Sequence, residues 1–182
     1  EDQDAFAFAS HQKAMAAQAA GEFNSEIFPV KVAHRSMDLT KGQVDVHWRE
    51  FLKDEGPRVD TSLEGLAKLK SPFAARGSVT AGNSSQTSDG VGALILASEK
   101  AIKTFGLTPL ARFVSFAVKG VAPEIMGIGP APAIRLLLER TGLTLDQIGR
   151  FEINEAQGAQ TLAVGRDLGL DLAKLNVNGG AI

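Results

Sequence analysis

With 182 residues, of which 44% are hydrophobic and 22% charged, and a formal net charge of −2, the chain has the size of one domain with a sizeable core or of two small ones. That charge balance offers no basic field to a nucleic-acid backbone, and no run approaches the ~20 apolar residues of a membrane span. Cysteine is absent, which excludes disulfides, thiolate metal sites and a cysteine nucleophile within these residues. The first residues, EDQDAFAFAS, are acidic where a secretory or transit peptide would be positive. The expectation is a soluble, cytoplasmic protein with no nucleic-acid or membrane partner. The 3 histidines, His11, His34 and His47, have no paired spacing, so no metal site is expected and each reads as a solvated or hydrogen-bonded surface residue.

Residues 1–21 are alanine-rich, acidic in the first turn and closed by Gly21, which predicts a helix with a glycine C-cap. EIFPVKV (26–32) and GQVDVHWREF (42–51) alternate at period two and predict two short exposed strands, with Pro29 confining the first to a sheet edge. The charged run 52–60 holds Gly56 and Pro57 and predicts a loop before a short helix at SLEGLAKLK. From Ser71 to Gly90 glycine and serine dominate, as in an ordered loop or linker.

VGALILASEKAIKTFG (91–106) then predicts a strand followed by a helix that stops at Gly106, and ARFVSFAV (111–118) a second apolar strand. PAPAIRLLLERTG predicts a helix with Ile134, Leu137 and Leu138 on one face, after which Thr144 and Gln147 match a capping box. RFEIN (150–154) predicts a strand, EAQGAQTLAVGRDLG a helix with Ala156, Ala159, Leu162 and Ala163 on one face, and KLNVNGGAI a further buried strand that is expected to continue past Ile182. Strand and helix in alternation predict an α/β fold with helices covering a sheet.

Four stretches, GSVTAGNSSQTSDG, EIMGIGPAPAI, FEINEAQGAQ and NVNGGAI, together resemble the thiolases, the family of acetyl-CoA acetyltransferases and 3-ketoacyl-CoA thiolases. They occur in the family's order and spacing, and EDQDAFAFASHQKA is also similar to the family's segment before them. The resemblance implies a partial thiolase-like layered αβαβα fold. Residues 1–78 would be part of the loop domain that covers coenzyme A, 79–107 the closing strand and helix of the N-terminal domain, and 108–182 the first half of the C-terminal domain. It also implies that the nucleophilic cysteine precedes Glu1, and that a Gly-His-Pro histidine and an acid/base cysteine follow Ile182. The 182 residues alone are therefore expected to be inactive.

The same resemblance implies the site. Asn154 matches the asparagine that holds a water in an oxyanion hole, against the plain reading of a helix cap. Arg58 matches an arginine near the nucleotide end of coenzyme A and Ser85 a serine on pantetheine, while Phe73 and Met126 match apolar residues of the same channel. Gln157 stands where most thiolases carry a pocket phenylalanine, and Gly158 after it weakens a helix start by up to ~1 kcal/mol; Gly65 replaces another family serine. No cofactor is expected to stay bound, coenzyme A and acyl-CoA being substrates, and the family's dimers and tetramers imply a homo-oligomer. The family also leaves peroxisomal and mitochondrial locations open. GIGPAP lacks the lysine and spacing of a P-loop, and nothing in the sequence brings Glu152, Glu155 and Asp146 together as paired carboxylates.

Overall fold

The computed structural model describes residues 1–182. Helix α1 (Asp2–Ala20) begins with Asp2 and Asp4 in its first turn and ends at Gly21 with φ 74°, so both ends are the ones the sequence predicts. Its buried residues are Ala7, Ser10, His11, Ala14 and Ala17. Small side chains on that face let other segments lie directly on the helix backbone.

Strands β1 (Val30–Asp38) and β2 (Gln43–Phe51) form an antiparallel hairpin that adds no third strand. The first strand starts later than expected because Pro29 has no N–H for the ladder. Its far end is set by the turn. There Asp38 Oδ1 accepts from Thr40 N (2.9 Å) and Thr40 Oγ1 (2.6 Å), and Gly42 takes φ 62°. The register sets His34 opposite His47, yet no three His, Asp or Glu side chains gather in any place that would hold a metal.

Helix α2 (Leu63–Ala67) is capped by Ser62, α3 (Glu99–Phe105) by Ser98, and α3 stops at Gly106 with φ 61°. Helices α4 (Pro130–Thr141) and α5 (Gly158–Leu168) follow. The Thr144–Gln147 capping box is present, on a 3-10 turn. No helix is long and apolar enough to cross a membrane.

The expected strands at 91–97, 111–118, 150–154 and 174–182 are not paired strands. A strand is defined by the neighbour that satisfies its N–H and C=O groups, and 91–97 and 111–118 have none here: Leu94 is 81% and Ile95 91% exposed. The backbones of residues 150–154 and 174–182 pair at one parallel bridge only, Phe151 with Leu175, beyond which the chain enters a turn with Asn176 at φ 44°. Even so, 151–155 keep strand-like alternation, with Phe151, Ile153 and Glu155 inward and Glu152 and Asn154 outward.

The core joins α4, α5 and these two segments through Ala131, Phe151, Ile153, Val164, Leu168, Leu170 and Leu175. Each large aliphatic side chain there contributes about 1.5–3 kcal/mol by burial. The buried face of α5 is Gly158, Thr161, Val164, Gly165 and Leu168, not the expected 156, 159, 162, 163 face. Glycine wins that face because it admits close approach: a Cβ on Gly158 would lie 3.1 Å from Gln3 O, and one on Gly165 3.3 Å from Leu172 Cδ2. A smaller cluster of Ala7, Leu66 and Ile182 shares Phe6 with the main core.

Candidate active site

The site is built on α1 and on the start of α5. Helix α5 is capped by Gln157, whose backbone is extended and whose side chain makes no cap hydrogen bond. Asn154 lies three residues before that cap and its side chain is exposed, so it is not the helix cap.

Three of the four sequence motifs meet here through their backbones. Ser84 bridges Gln157 in antiparallel fashion, Ser85 N donates to Ala156 O (3.0 Å), and Gln86 N donates to Ala181 O (3.3 Å). The fourth arrives from the other side, where a Cβ on Gly127 would lie 3.0 Å from Gln160 Cγ of α5. Residues far apart in sequence thus converge within one or two turns of the α5 N-terminus.

Polar side chains fix the loops. Asn83, 1% exposed, accepts from Thr80 N (2.9 Å) and donates to Asp4 Oδ1 (2.9 Å) and Ser78 O (2.9 Å), which ties the glycine-serine loop to α1. Glu155, also 1% exposed, accepts from Ser10 Oγ (2.6 Å), Asn176 Nδ2 (2.9 Å) and Ile182 N (3.4 Å). Gly180 N donates in turn to Ser10 Oγ (3.0 Å). A Cβ on Gly180 would fall 2.2 Å from Glu155 Cδ, and one on Gly179, at φ 82°, 2.6 Å from Ser10 O, so the turn admits only glycine at these positions.

Beside this junction opens a cleft of about 630 Å³ lined by His11, Arg58, Gly65, Ser84, Gln86 and Ile182 among others. His11, read from the sequence as a surface residue, is buried at 6% exposure and its Nδ1 accepts from Arg58 N (3.2 Å). Burial, and then the Arg58 guanidinium, push its imidazole below the ordinary range, against the opposing pull of the Glu155 and Asp60 carboxylates. The Arg58 side chain is exposed and pairs with Asp60 at 3.6 Å. A further open hollow of about 600 Å³ lies on the hairpin at Lys31, Trp48, Arg49 and Glu50, and none of the motif residues line it.

Of the residues singled out by sequence, Ser85 and Gln157 lie at the junction, Asn154 precedes it by two residues with its side chain exposed, and Arg58 lines the adjoining cleft. Met126, 77% exposed, sits on the 3-10 turn packed against α5. Phe73, 78% exposed, is not among the residues lining the cleft. Glu155, Ser10, Asn83 and Asn176 were missed. For Glu155 the signal was there: it has the same strand phase as Phe151 and Ile153, and a carboxylate on an apolar phase needs a polar reason.

The family model of the thiolase N-terminal domain matches residues 1–100, and that of the thiolase C-terminal domain matches residues 107–182. The chain belongs to the thiolase family. It is 51% identical to an acetyl-CoA acetyltransferase of Pseudomonas aeruginosa over 182 residues, which is all of this chain and 44% of that protein. The crystal structure of the Bacillus anthracis acetyl-CoA acetyltransferase superposes with a TM-score of 0.89 at 47% identity, over 99% of this chain and 43% of the other. Human mitochondrial 3-ketoacyl-CoA thiolase, solved in complex with CoA, gives 0.86 at 45% identity, over 98% and 42%. The architecture is thus a partial thiolase fold, and the chain spans under half the length of the relatives it matches.

Proposed function

We propose that the protein carrying this chain is a thiolase-type acyltransferase, which cleaves a 3-ketoacyl-CoA with coenzyme A to acyl-CoA and acetyl-CoA or runs the reverse condensation. The observation that carries this is the convergence of the glycine-serine loop, the N-E-A segment and the N-G-G turn at the start of α5. Such a junction of fixed backbone gives a side chain on it little freedom, as an oxyanion donor requires. Asn154 is the donor, acting through a water on the developing oxyanion.

Arg58 takes the nucleotide end of coenzyme A, since a guanidinium suits a phosphate or a stacked adenine. Ser85 takes pantetheine, and Phe73 and Met126, which do not line the cleft itself, would flank the channel beyond it. Gln157 turns an apolar wall of the acyl pocket into a hydrogen-bonding one. Coenzyme A and acyl-CoA act as substrates with no resident cofactor, and the complete protein assembles as a homo-oligomer after the family's habit. The division into 1–78, 79–107 and 108–182 remains our domain reading. With no cysteine in these residues, the chain alone has no thiolate to take the acyl group and is inactive.

The test is thiolysis of acetoacetyl-CoA. The complete protein is expected to turn over and the 182-residue chain to show none; removing one oxyanion donor, by Asn154→Ala, is expected to lower kcat by about 10²–10³. Absence of turnover by the complete protein would overturn the assignment, and turnover by the isolated chain would overturn the reading of these residues as inactive alone. Gln157, half-buried at the α5 cap, favours a second reading as a non-catalytic acyl-CoA-binding or interaction module. That reading predicts coenzyme A binding by the complete protein without turnover, and restoration of neither kcat nor KM by Gln157→Phe.

A further inference from the structure

We propose that Glu155 and Asn176 are positioning residues for Asn154, acting as a two-sided clasp on the residues that flank it. The inference rests on the role given to Asn154 above. Asn154 has no side-chain hydrogen bond of its own within the chain, and its place is set by its two neighbours. On one side, Ile153 N donates to Asn176 Oδ1 (2.8 Å) and Asn176 Nδ2 donates to Ile153 O (2.8 Å), so one amide closes on both backbone groups of one residue. On the other side, the Glu155 carboxylate takes Ser10 Oγ, the same Asn176 Nδ2 and Ile182 N.

Asn176 is the sole non-glycine residue with positive φ, 44°. Asparagine tolerates that conformation better than most residues, and here it brings the amide between Ile153 and Glu155. The clasp also spans both halves of the family pattern. Ser10 falls in the part matched by the N-terminal domain and Glu155, Asn176 and Gly180 in the part matched by the C-terminal domain. Gly180 N to Ser10 Oγ to Glu155 Oε2 is a continuous chain of donors and acceptors across that boundary.

The carboxylate is acceptor-only and meets donors from three directions. A glutamine there must turn its own NH₂ toward at least one of them, which shifts the segment while keeping the volume. Displacement of a catalytic group by about 1 Å, caused by a change remote from the chemistry, costs on the order of 10²-fold.

The experiment is a double-mutant cycle in the complete enzyme, with kcat and KM for coenzyme A measured for the native protein, Asn154→Ala, Glu155→Gln and the double variant. Glu155→Gln is expected to lower kcat about 10- to 100-fold while KM moves about 3-fold or less, and to add about 2-fold or less in the Asn154→Ala background. If the two losses multiply in full, Glu155 supports the fold generally and the inference is overturned. If Asn154→Ala leaves kcat intact, the reading of Asn154 fails first, separately from the clasp, and the inference falls with it. Should Glu155→Gln not fold, Ser10→Ala withdraws a single donor from the same carboxylate and runs through the same cycle, with the same expected non-additivity. Multiplication in full there likewise overturns the inference.

Discussion

The stretch 91–118 and the stretch 151–182 show opposite relations between composition and burial. The first contains VGALIL and RFVSFAV, among the most apolar runs of the chain, and leaves Leu94, Ile95 and Phe113 81%, 91% and 68% exposed. The second contains a glutamate and an asparagine that are 1% and 2% exposed. An apolar side chain is buried only where another surface covers it, and an extended backbone is held only where a neighbour completes its hydrogen bonds. Residues 151–182 have both in α1, α4 and α5. Residues 91–97 and 111–118 pair with no strand of this chain, and the hairpin β1–β2 pairs only with itself.

If α1 and the N-G-G turn are the anchored region, the largest effects should come from filling the space between them and from emptying the core beside it. Gly180→Ala drives a methyl into the Glu155 carboxylate and is expected to cost about 3 kcal/mol, the upper range for overpacking. A change under about 0.5 kcal/mol in chemical denaturation would break the comparison. Leu175→Ala, in the core at 2% exposure, is expected to cost about 2–5 kcal/mol. Trp48→Ala on the hairpin, at 70% exposure, should stay within about 0.5 kcal/mol although it removes more atoms.

A smaller effect follows from His11. Its imidazole is depressed by burial and then by Arg58 below the ordinary 6.5, so the unfolded chain takes up the proton first. The stability due to neutral His11 is therefore complete above pH 6.5 and is lost as the pH falls through the folded-state value. The slope from one proton is at most about 1.4 kcal/mol per pH unit. His11→Gln should remove that part of the acid slope and leave the stability curve above pH 7 parallel to the native one.

The smallest effect is expected at the hairpin turn. Hydrogen bonds from Thr40 and then Lys41 hold the Asp38 carboxyl at about 2, below the ordinary 3.8. Its local contribution is thus present above pH 3.8 and lost as the pH falls through about 2. Asp38→Ala should speed amide exchange at Thr40, Lys41 and Gly42 and leave the global unfolding midpoint unchanged, because the hairpin contributes nothing to either buried cluster.

The local elements were legible because their determinants are local. Gly21, Gly106, Gly142 and Gly169 close α1, α3, α4 and α5 in the left-handed conformation, and Ser62, Ser98 and the Thr144–Gln147 box start turns where side chains can reach nearby N–H groups. The four strands expected after residue 90 failed together, while the two of the hairpin formed because each had the other at hand, since pairing is not a property of a single segment. The α5 face was misjudged because alanines and leucines were counted as the inward set. Two glycines, a threonine, Val164 and Leu168 occupy it instead, the glycines for reasons of distance to α1 and Leu172.

By itself, the sequence determined the helices, the glycine ends of four of them and, through four ordered motifs, the family. Short-range sterics and capping act within a few residues and leave a readable pattern. Tertiary structure alone decided that Asn154 is not a cap, that His11 is buried against Arg58, and that Glu155, Ser10 and Asn176 form one network. A buried carboxylate is stable only where donors from distant segments arrive at the same point. Where three segments of a folded chain meet is fixed by packing, and no spacing along the sequence records it.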